Sequence, residues 1–336
     1  GVHHPAFAFQ HREIDRLALD VAADAPSPGI FDQFREAGGG PQQGHDLGKR
    51  IDGHIRTIAN EVRIADHRQS RSRKPSSALP YSSMEQDMPS VLITGCSSGF
   101  GLETAKLFLD RGWRVVATMR TPDPGLLPSS DQLTVLPLDV TDRDSIASAV
   151  EQAGPVDVLV NNAGFGAAVP IELIEFETAR QLFETNMLGT LAMMQAFLPA
   201  FRERRSGVII NVTSTVTLKP LPLVSTYRAS KAAVNALTES LAVEMQPFGV
   251  RVHIVLPGRS PTTQFGATAR PHLRGLDDPD YKPMIEGMMK QFQEDMGPVT
   301  HARDVAAAVF EAATNPSAPL KIPAGTDAIA WMADAA

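Results

Sequence analysis

The chain has 336 residues, 43% hydrophobic and 21% charged, the make-up of a globular protein with room for one large or two modest domains. A net charge of −7 argues against a nucleic-acid backbone as principal partner, and no apolar run approaches the ~20 residues of a membrane helix. The single cysteine, Cys96, excludes an intrachain disulfide and a cysteine-built zinc site, and points to a reducing cytoplasm.

Residues 1–87 carry six of the nine histidines and many Gly, Pro and Ser, in runs such as EAGGGPQQGHDLGKR and SRSRKPSS. Two stretches have helical spacing: Ile14, Leu17, Ala18, Val21 and Ile51, Ile55, Ile58, Val62. Both are short and lie apart, too little apolar surface for an independent core, so a disordered or loosely helical extension is expected. Its twelve Asp and Glu disfavour a transit peptide. Met84 and Met88 stand just before the first good strand. The favoured reading makes residues 1–83 a non-essential extension; the rival is a native tail that docks or binds something.

From Met88 onward, β-branched apolar runs alternate with helical patterns. SVLITG leads to a helix over Leu102–Leu109, WRVVATM to a turn, and LTVLPLDV to Ile146–Val150. VDVLVNNAG leads to a long helix over Glu177–Arg202, GVIINVTS to Tyr227–Met245, and VRVHIVLPG and PLKIPAG complete the series. Strands apolar on both faces that alternate with helices predict a parallel sheet covered on both sides, hence one doubly wound α/β domain over 88–336. Residues 259–297, rich in Pro, Gly and Met, read as an insertion at the substrate side. Within it Met284, Ile285, Met288, Met289 and Phe292 have helical spacing and predict one inward apolar stripe. That stripe either lines a pocket for an apolar substrate or only packs a lid onto the domain.

The first strand breaks into a turn of Thr94, Gly95, Cys96, Ser97, Ser98, Gly99, Phe100 and Gly101 before a helix resumes. Gly95 permits a tight turn, Gly99 lets backbone approach phosphate oxygens, and Gly101 allows close helix–strand contact. The spacing G-x-x-x-G-x-G is neither the P-loop nor the usual dinucleotide pattern. No Lys follows it, which disfavours a nucleoside triphosphate and leaves a dinucleotide.

Downstream stand NNAG at 161–164, Asn186 in NMLG, Ser214 in NVTS, and YRASK from Tyr227 to Lys231. Ser214 precedes Tyr227 by 13 positions (227 − 214). With the T-G-x-x-x-G-x-G of Thr94–Gly101, these motifs resemble the single-domain type of the short-chain dehydrogenase/reductase family. The resemblance spans 88–336 and none of 1–87. It implies a doubly wound Rossmann fold with a seven-stranded parallel sheet, and NAD or NADP bound on the glycine turn. It also implies hydride exchange between nicotinamide and an alcohol or carbonyl.

That exchange needs a group to remove or supply the hydroxyl proton. A tyrosine, with a reference pKa of ~10, is a weak acid for this task near neutrality. Lys231 lies at i+4 from Tyr227, on the same helix face, and with oxidised nicotinamide would stabilise the phenolate. Tyr227 is therefore the expected proton donor and acceptor, and Ser214 would hold the reacting oxygen. The resemblance gives Lys231 a second role on the nicotinamide ribose and gives Asn186 a relay water. It also implies that Asp139 and Val140, ending the third strand, contact adenine, and that Asn162, Ala163 and Gly164 wall the adenosine side. Pro257 and Gly258 would flank the nicotinamide. Both Thr262 and Thr263 stand where the family often has one threonine, with Thr262 the contact expected.

Eighteen residues past Gly101 the second strand ends on Met119 and Arg120 rather than an acid (119 − 101). A guanidinium there favours the 2′-phosphate of NADP; if Arg120 points to solvent, NAD is accepted too. Taken singly, Tyr-x-x-x-Lys is a surface pair, Ser214 a cap, Asn186 a polar helix residue, and Cys96 a small side chain in a crowded loop. Their joint occurrence carries the functional reading. The histidines show no ligand spacing, so no metal is expected. A non-catalytic NADP-binding sensor is the alternative, disfavoured because Tyr227 and Lys231 are both present. The expected partners are a small-molecule substrate and further copies of the chain. Met187, Leu191, Met194 and Leu198 extend the apolar surface beyond one stripe and predict a homodimer or homotetramer.

Overall fold

The computed structural model describes residues 88–261, 269–294 and 297–335. The expectations for residues 1–87 and for Thr262 lie outside the described residues. The strands are β1 Ser90–Thr94, β2 Arg114–Met119, β3 Leu133–Pro137, β4 Val158–Asn161, β5 Gly207–Val212, β6 Val250–Pro257 and β7 Lys321–Ala324. All pair in parallel, in the spatial order β3-β2-β1-β4-β5-β6-β7. The helices are α1 Gly99–Asp110, α2 Arg143–Ala153, α3 Phe176–Phe183, α4 Gly189–Arg204, α5 Ser225–Met245, α6 Lys282–Glu294, α7 Ala302–Thr314 and α8 Thr326–Asp334.

The period-two side-chain alternation of each strand divides the apolar runs between two cores. Val91, Ile93, Val158, Val160, Val208 and Ile210 join one cluster with Phe108 of α1 and Val305 and Val309 of α7. Leu92, Leu159 and Ile209 point the other way, into a cluster with Ile146 of α2, Met193 and Phe197 of α4 and Leu241 of α5. On the first face Phe108 packs edge-on against Trp113 and Phe310, with ring centroids 4.9 and 5.1 Å away. Burying each such ring contributes about 1.5–3 kcal/mol. The order reverses between β1 and β4, and a ligand crevice forms at the carboxyl ends of strands on either side of such a reversal.

Two boundaries and two faces differ from the sequence expectation. The helix expected over Glu177–Arg202 is two helices joined by a π turn, Glu184–Leu188. Asn186 causes this: its Nδ2 donates to Phe165 O and to Ser230 Oγ, each at 3.0 Å, and its Oδ1 accepts from Phe165 N at 3.0 Å. Reaching those partners takes one extra residue in the turn, as π bulges at functional sites commonly do. β3 stops at Pro137, so Asp139 and Val140 follow the strand rather than end it. The insertion contains α6, but its apolar stripe is narrower than expected. Ile285 is fully buried, whereas Met284 and Met289 are 40% and 42% exposed. Neighbours on a helix point ~100° apart, so the pairs 284/285 and 288/289 cannot both face inward. Of the residues expected to face another copy, Met194 is buried in the domain's own core. Leu191 and Leu198 are partly buried against it. Among the described residues no helix is long and apolar enough to cross a membrane.

Candidate active site

A cleft of about 910 Å³ opens at the carboxyl ends of the strands. Its floor is the glycine turn. Gly95 has φ +76°, in the left-handed region, and a Cβ there would come 2.9 Å from Ala163 Cα. A Cβ on Gly101 would fall on the Gly95 carbonyl and within 2.6 Å of Asn162 Nδ2. The turn thus has no room for side chains at either place. α1 then begins without a side-chain cap at Ser98 and without an acid in its first turn. α2 shows the ordinary alternative: Asp142 accepts from Asp144 N at 2.9 Å, and Asp144 adds an acid to the first turn. α1 therefore presents uncapped N–H groups and an uncompensated positive dipole end at the glycine turn, a fit for the pyrophosphate of a dinucleotide.

Thr94 lies behind this floor. Its hydroxyl accepts from Asn162 N and Ala163 N, both at 2.9 Å, and so bolts β1 to the segment after β4. Asn162 Nδ2 returns the tie by donating to Thr94 O at 2.9 Å. Cys96 is fully buried, its Sγ 3.2 Å from Ile93 O, and burial pushes the thiol up to about 12. It is a packed thiol with no access to redox chemistry.

At the other end of the cleft Tyr227 is buried and hydrogen-bonds the side chain of Ser214. Burial pushes its phenol up to about 12, partly offset by the Ser214 bond. Lys231, four residues on and equally buried, donates from Nζ to Val212 O at 3.0 Å. Burial lowers its ammonium to about 8. Gly164 lies against this pair: a Cβ there would be 2.8 Å from Asn186 Oδ1 and 3.2 Å from Lys231 Nζ. Tyr227 and Lys231 thus both line the cleft, Ser214 bonds Tyr227, and Asn186 is tied to the same helix through Ser230.

Arg120, Asp139 and Val140 also line the cleft. Asp139 Oδ1 accepts from Thr141 N at 2.9 Å and from Thr141 Oγ1 at 2.7 Å. These bonds, led by the amide, hold its carboxyl below the usual range against the effect of burial, and the charge of Arg120 adds to them. Arg120 is exposed. Pro257 and Gly258 are not on the cleft wall, but β6 runs beside it: Thr213 N donates to Val255 O at 2.9 Å. No cluster of three or more His, Cys, Asp or Glu that could hold a metal occurs among the described residues.

Residues 89–273 match the family described as short chain dehydrogenase. The chain belongs to that family. Among relatives of this short-chain dehydrogenase, 3-ketodihydrosphingosine reductase of Bacteroides thetaiotaomicron is 34% identical over 239 residues, 70% of this chain and 87% of the relative. The crystal structure of a short-chain dehydrogenase from Streptomyces avermitilis superposes with a TM-score of 0.66 at 31% identity, covering 75% of this chain and 93% of the other. A short-chain dehydrogenase of Burkholderia cenocepacia, solved in complex with NADP, gives 0.58 at 28% identity, covering 74% and 94%.

Several residues that shape this dehydrogenase's site carry no signal in the motifs. Ser230 bridges the π turn to α5, accepting from Asn186 Nδ2 at 3.0 Å and donating to Tyr227 O at 2.8 Å. Arg228 braces the turn after Ser214 by donating to Val216 O at 2.8 Å. Thr213 is 3% exposed, lines the cleft, and its hydroxyl has no partner among the described residues. From the insertion, His272 enters the cleft wall and packs on Phe165 with ring centroids 5.3 Å apart. Ser230 and Arg228 lie inside YRASK, where a motif reader sees only Tyr and Lys. His272 has no local cue at all.

Proposed function

We propose that the protein is an NADP-dependent oxidoreductase that interconverts an apolar carbonyl compound and its alcohol, with Tyr227 as acid and base. The observation that carries this reading is the buried Tyr227 bonded to Ser214, with Lys231 one helical turn on. When bound, the nicotinamide cofactor supplies or accepts the hydride. The chain's own residues orient the substrate and handle the proton. At neutral pH burial keeps the Tyr227 phenol protonated, which suits it to donate to the oxygen of a carbonyl being reduced. Ser214, within reach of the same hydroxyl, holds that oxygen in line. Below pH 8 Lys231 is an ammonium, and its charge offsets the phenolate left after the proton leaves. One of its three protons is spent on Val212 O; the others would be available to a cofactor ribose and to a relay water beside Asn186.

NADP rather than NAD is proposed from Met119 and Arg120 at the end of β2, where no acid stands to repel a 2′-phosphate. The NADP complex of the Burkholderia structure supports a nicotinamide cofactor in general; the choice rests on Met119 and Arg120. Arg120→Ala is expected to raise the Kd of NADPH about tenfold or more and to leave that of NADH within twofold, since a charge-assisted bond contributes about 1.5–3 kcal/mol. Equal effects on both cofactors would remove Arg120 from 2′-phosphate recognition.

An apolar substrate is proposed because Tyr227 sits in a cluster with Ala167, Val169 and Leu182, flanked by Phe165, Leu173, Val216 and Val224. A relative named for reducing a keto compound agrees with the carbonyl half of the reading. NADPH consumption across a homologous series of aliphatic ketones tests both halves. Each buried methylene is expected to add up to ~0.8 kcal/mol of transition-state binding, a few-fold in kcat/KM. A flat series, or preference for polyhydroxylated or anionic carbonyls, would defeat the apolar reading; no turnover of any carbonyl would defeat the oxidoreductase reading.

A further inference from the structure

The insertion leaves β6 at Arg259 and returns at Thr300, and these two residues meet: Thr300 N donates to Arg259 O at 2.8 Å. Thr300 is fully buried. Its hydroxyl accepts from Gly258 N at 3.0 Å and lies 2.8 Å from Ala324 O and 2.7 Å from Asp327 Oδ1, its one proton serving one of them at a time. The other carboxylate oxygen of Asp327 accepts from Arg259 N at 2.6 Å. One hydroxyl from the return end of this neck and one carboxylate from α8 thus tie together the turn after β6, the end of β7 and the first turn of α8.

The far part of the insertion is what this neck delivers to the site. His272 lies on the cleft wall against Phe165. Tyr281 Oη donates to Glu172 at 2.6 Å, and Arg274 pairs with Glu175 at 3.2 Å. Those outer contacts are solvent-exposed, and exposed pairs hold a geometry weakly. The buried neck is the part of the insertion held by buried hydrogen bonds.

We propose that Thr300 and Asp327 are positioning residues: they fix the neck of the insertion and with it the place of His272 on the wall of the cleft that Tyr227 lines. The claim about substrate rests on the oxidoreductase reading above; the claim about the neck does not. Two measurements on the full chain separate them. The first is tryptic cleavage under native conditions, mapped by mass spectrometry to Arg274 and Lys290. Thr300→Val, which keeps the shape and removes the hydroxyl, is expected to speed cleavage at these two sites at least tenfold. Thr300→Ser is expected to cleave like the wild type. A hydroxyl that merely adds global stability would speed cleavage throughout the domain instead, since local and global opening expose different bonds.

The second measurement is steady-state reduction of the best ketone with NADPH. Thr300→Val is expected to raise the ketone KM at least fivefold while the Kd of NADPH, read by fluorescence, stays within twofold. If Thr300→Val does not fold, Asp327→Ala, at the partly exposed start of α8, is expected to give the same pattern. Unchanged cleavage at Arg274 and Lys290, or cleavage raised everywhere alike, overturns the neck. Raised local cleavage with an unchanged ketone KM overturns its bearing on the substrate. Absence of any NADPH-dependent turnover in the wild type would instead be a failure of the oxidoreductase reading, and the cleavage result would still decide the neck.

Discussion

Tyr227→Phe is expected to lower kcat by roughly a thousandfold, within the range of about 10²–10⁴ that a positioned general acid contributes. The change removes one hydroxyl and keeps the ring in its apolar cluster of Ala167, Val169 and Leu182, so the fold and the glycine turn stay intact. The Kd of NADPH is therefore expected to stay within about twofold. What is lost is a proton source placed against Ser214. Burial pushes the phenol up to about 12, which keeps that proton in place across the neutral range, and lowers the Lys231 ammonium one helical turn on to about 8. Retention of near-wild-type kcat would mean that the proton comes from another group. A matched loss of NADPH binding would mean that the ring, not the hydroxyl, is what the site uses.

Gly101→Ala is expected to have the second-largest effect, and by a steric route. The added methyl would fall on the Gly95 carbonyl and lie 2.6 Å from Asn162 Nδ2. Asn162 is tied to Thr94 O and cannot move without loosening β1 from the segment after β4. Overpacking of this kind costs about 1–3 kcal/mol, which in a domain of this size lowers Tm by several degrees. Because the displaced carbonyl belongs to the cradle itself, NADPH affinity is expected to fall more than tenfold. Gly112→Ala is the control: its φ is +77°, but nothing lies within 4 Å of a Cβ there. It is expected to cost about 1–2 kcal/mol through backbone strain alone and to leave NADPH affinity unchanged. Equal cofactor losses in the two variants would show that stability, not the shape of the turn, governs binding.

The glycine turn was legible because its function is a backbone path, and only residues lacking Cβ permit that path; the pattern is written directly in the residue types. The seven strands were legible for a similar reason. A strand buried on both faces must be apolar throughout, and runs such as VLIT and VIINV have few other uses in a globular protein. The Tyr227–Lys231 pair was legible because i+4 spacing on a helix is itself a contact. In each case the interaction that matters is between residues near in sequence or is a property of one residue.

What only the tertiary structure decided involves partners far apart in the chain. The break of the expected 177–202 helix depends on Asn186 reaching Phe165, 21 residues earlier, and Ser230, 44 residues later. Thr94 is read in sequence as part of the glycine turn, but that its hydroxyl accepts from amides 68 and 69 residues away is visible only in the fold. The stripe on α6 was read as one face, but which of Met284 and Ile285 turns inward is set by what it meets, and Ile285 meets the wall at Gly275. Thr300 and Asp327 belong to no motif because their partners, Gly258 and Arg259, lie at the far end of an insertion. Local spacing determines which elements form and which chemistry the chain carries. The direction in which each polar side chain spends its hydrogen bonds is settled only when strands and loops distant in sequence come together, because a buried donor must find its acceptor wherever the fold has placed it.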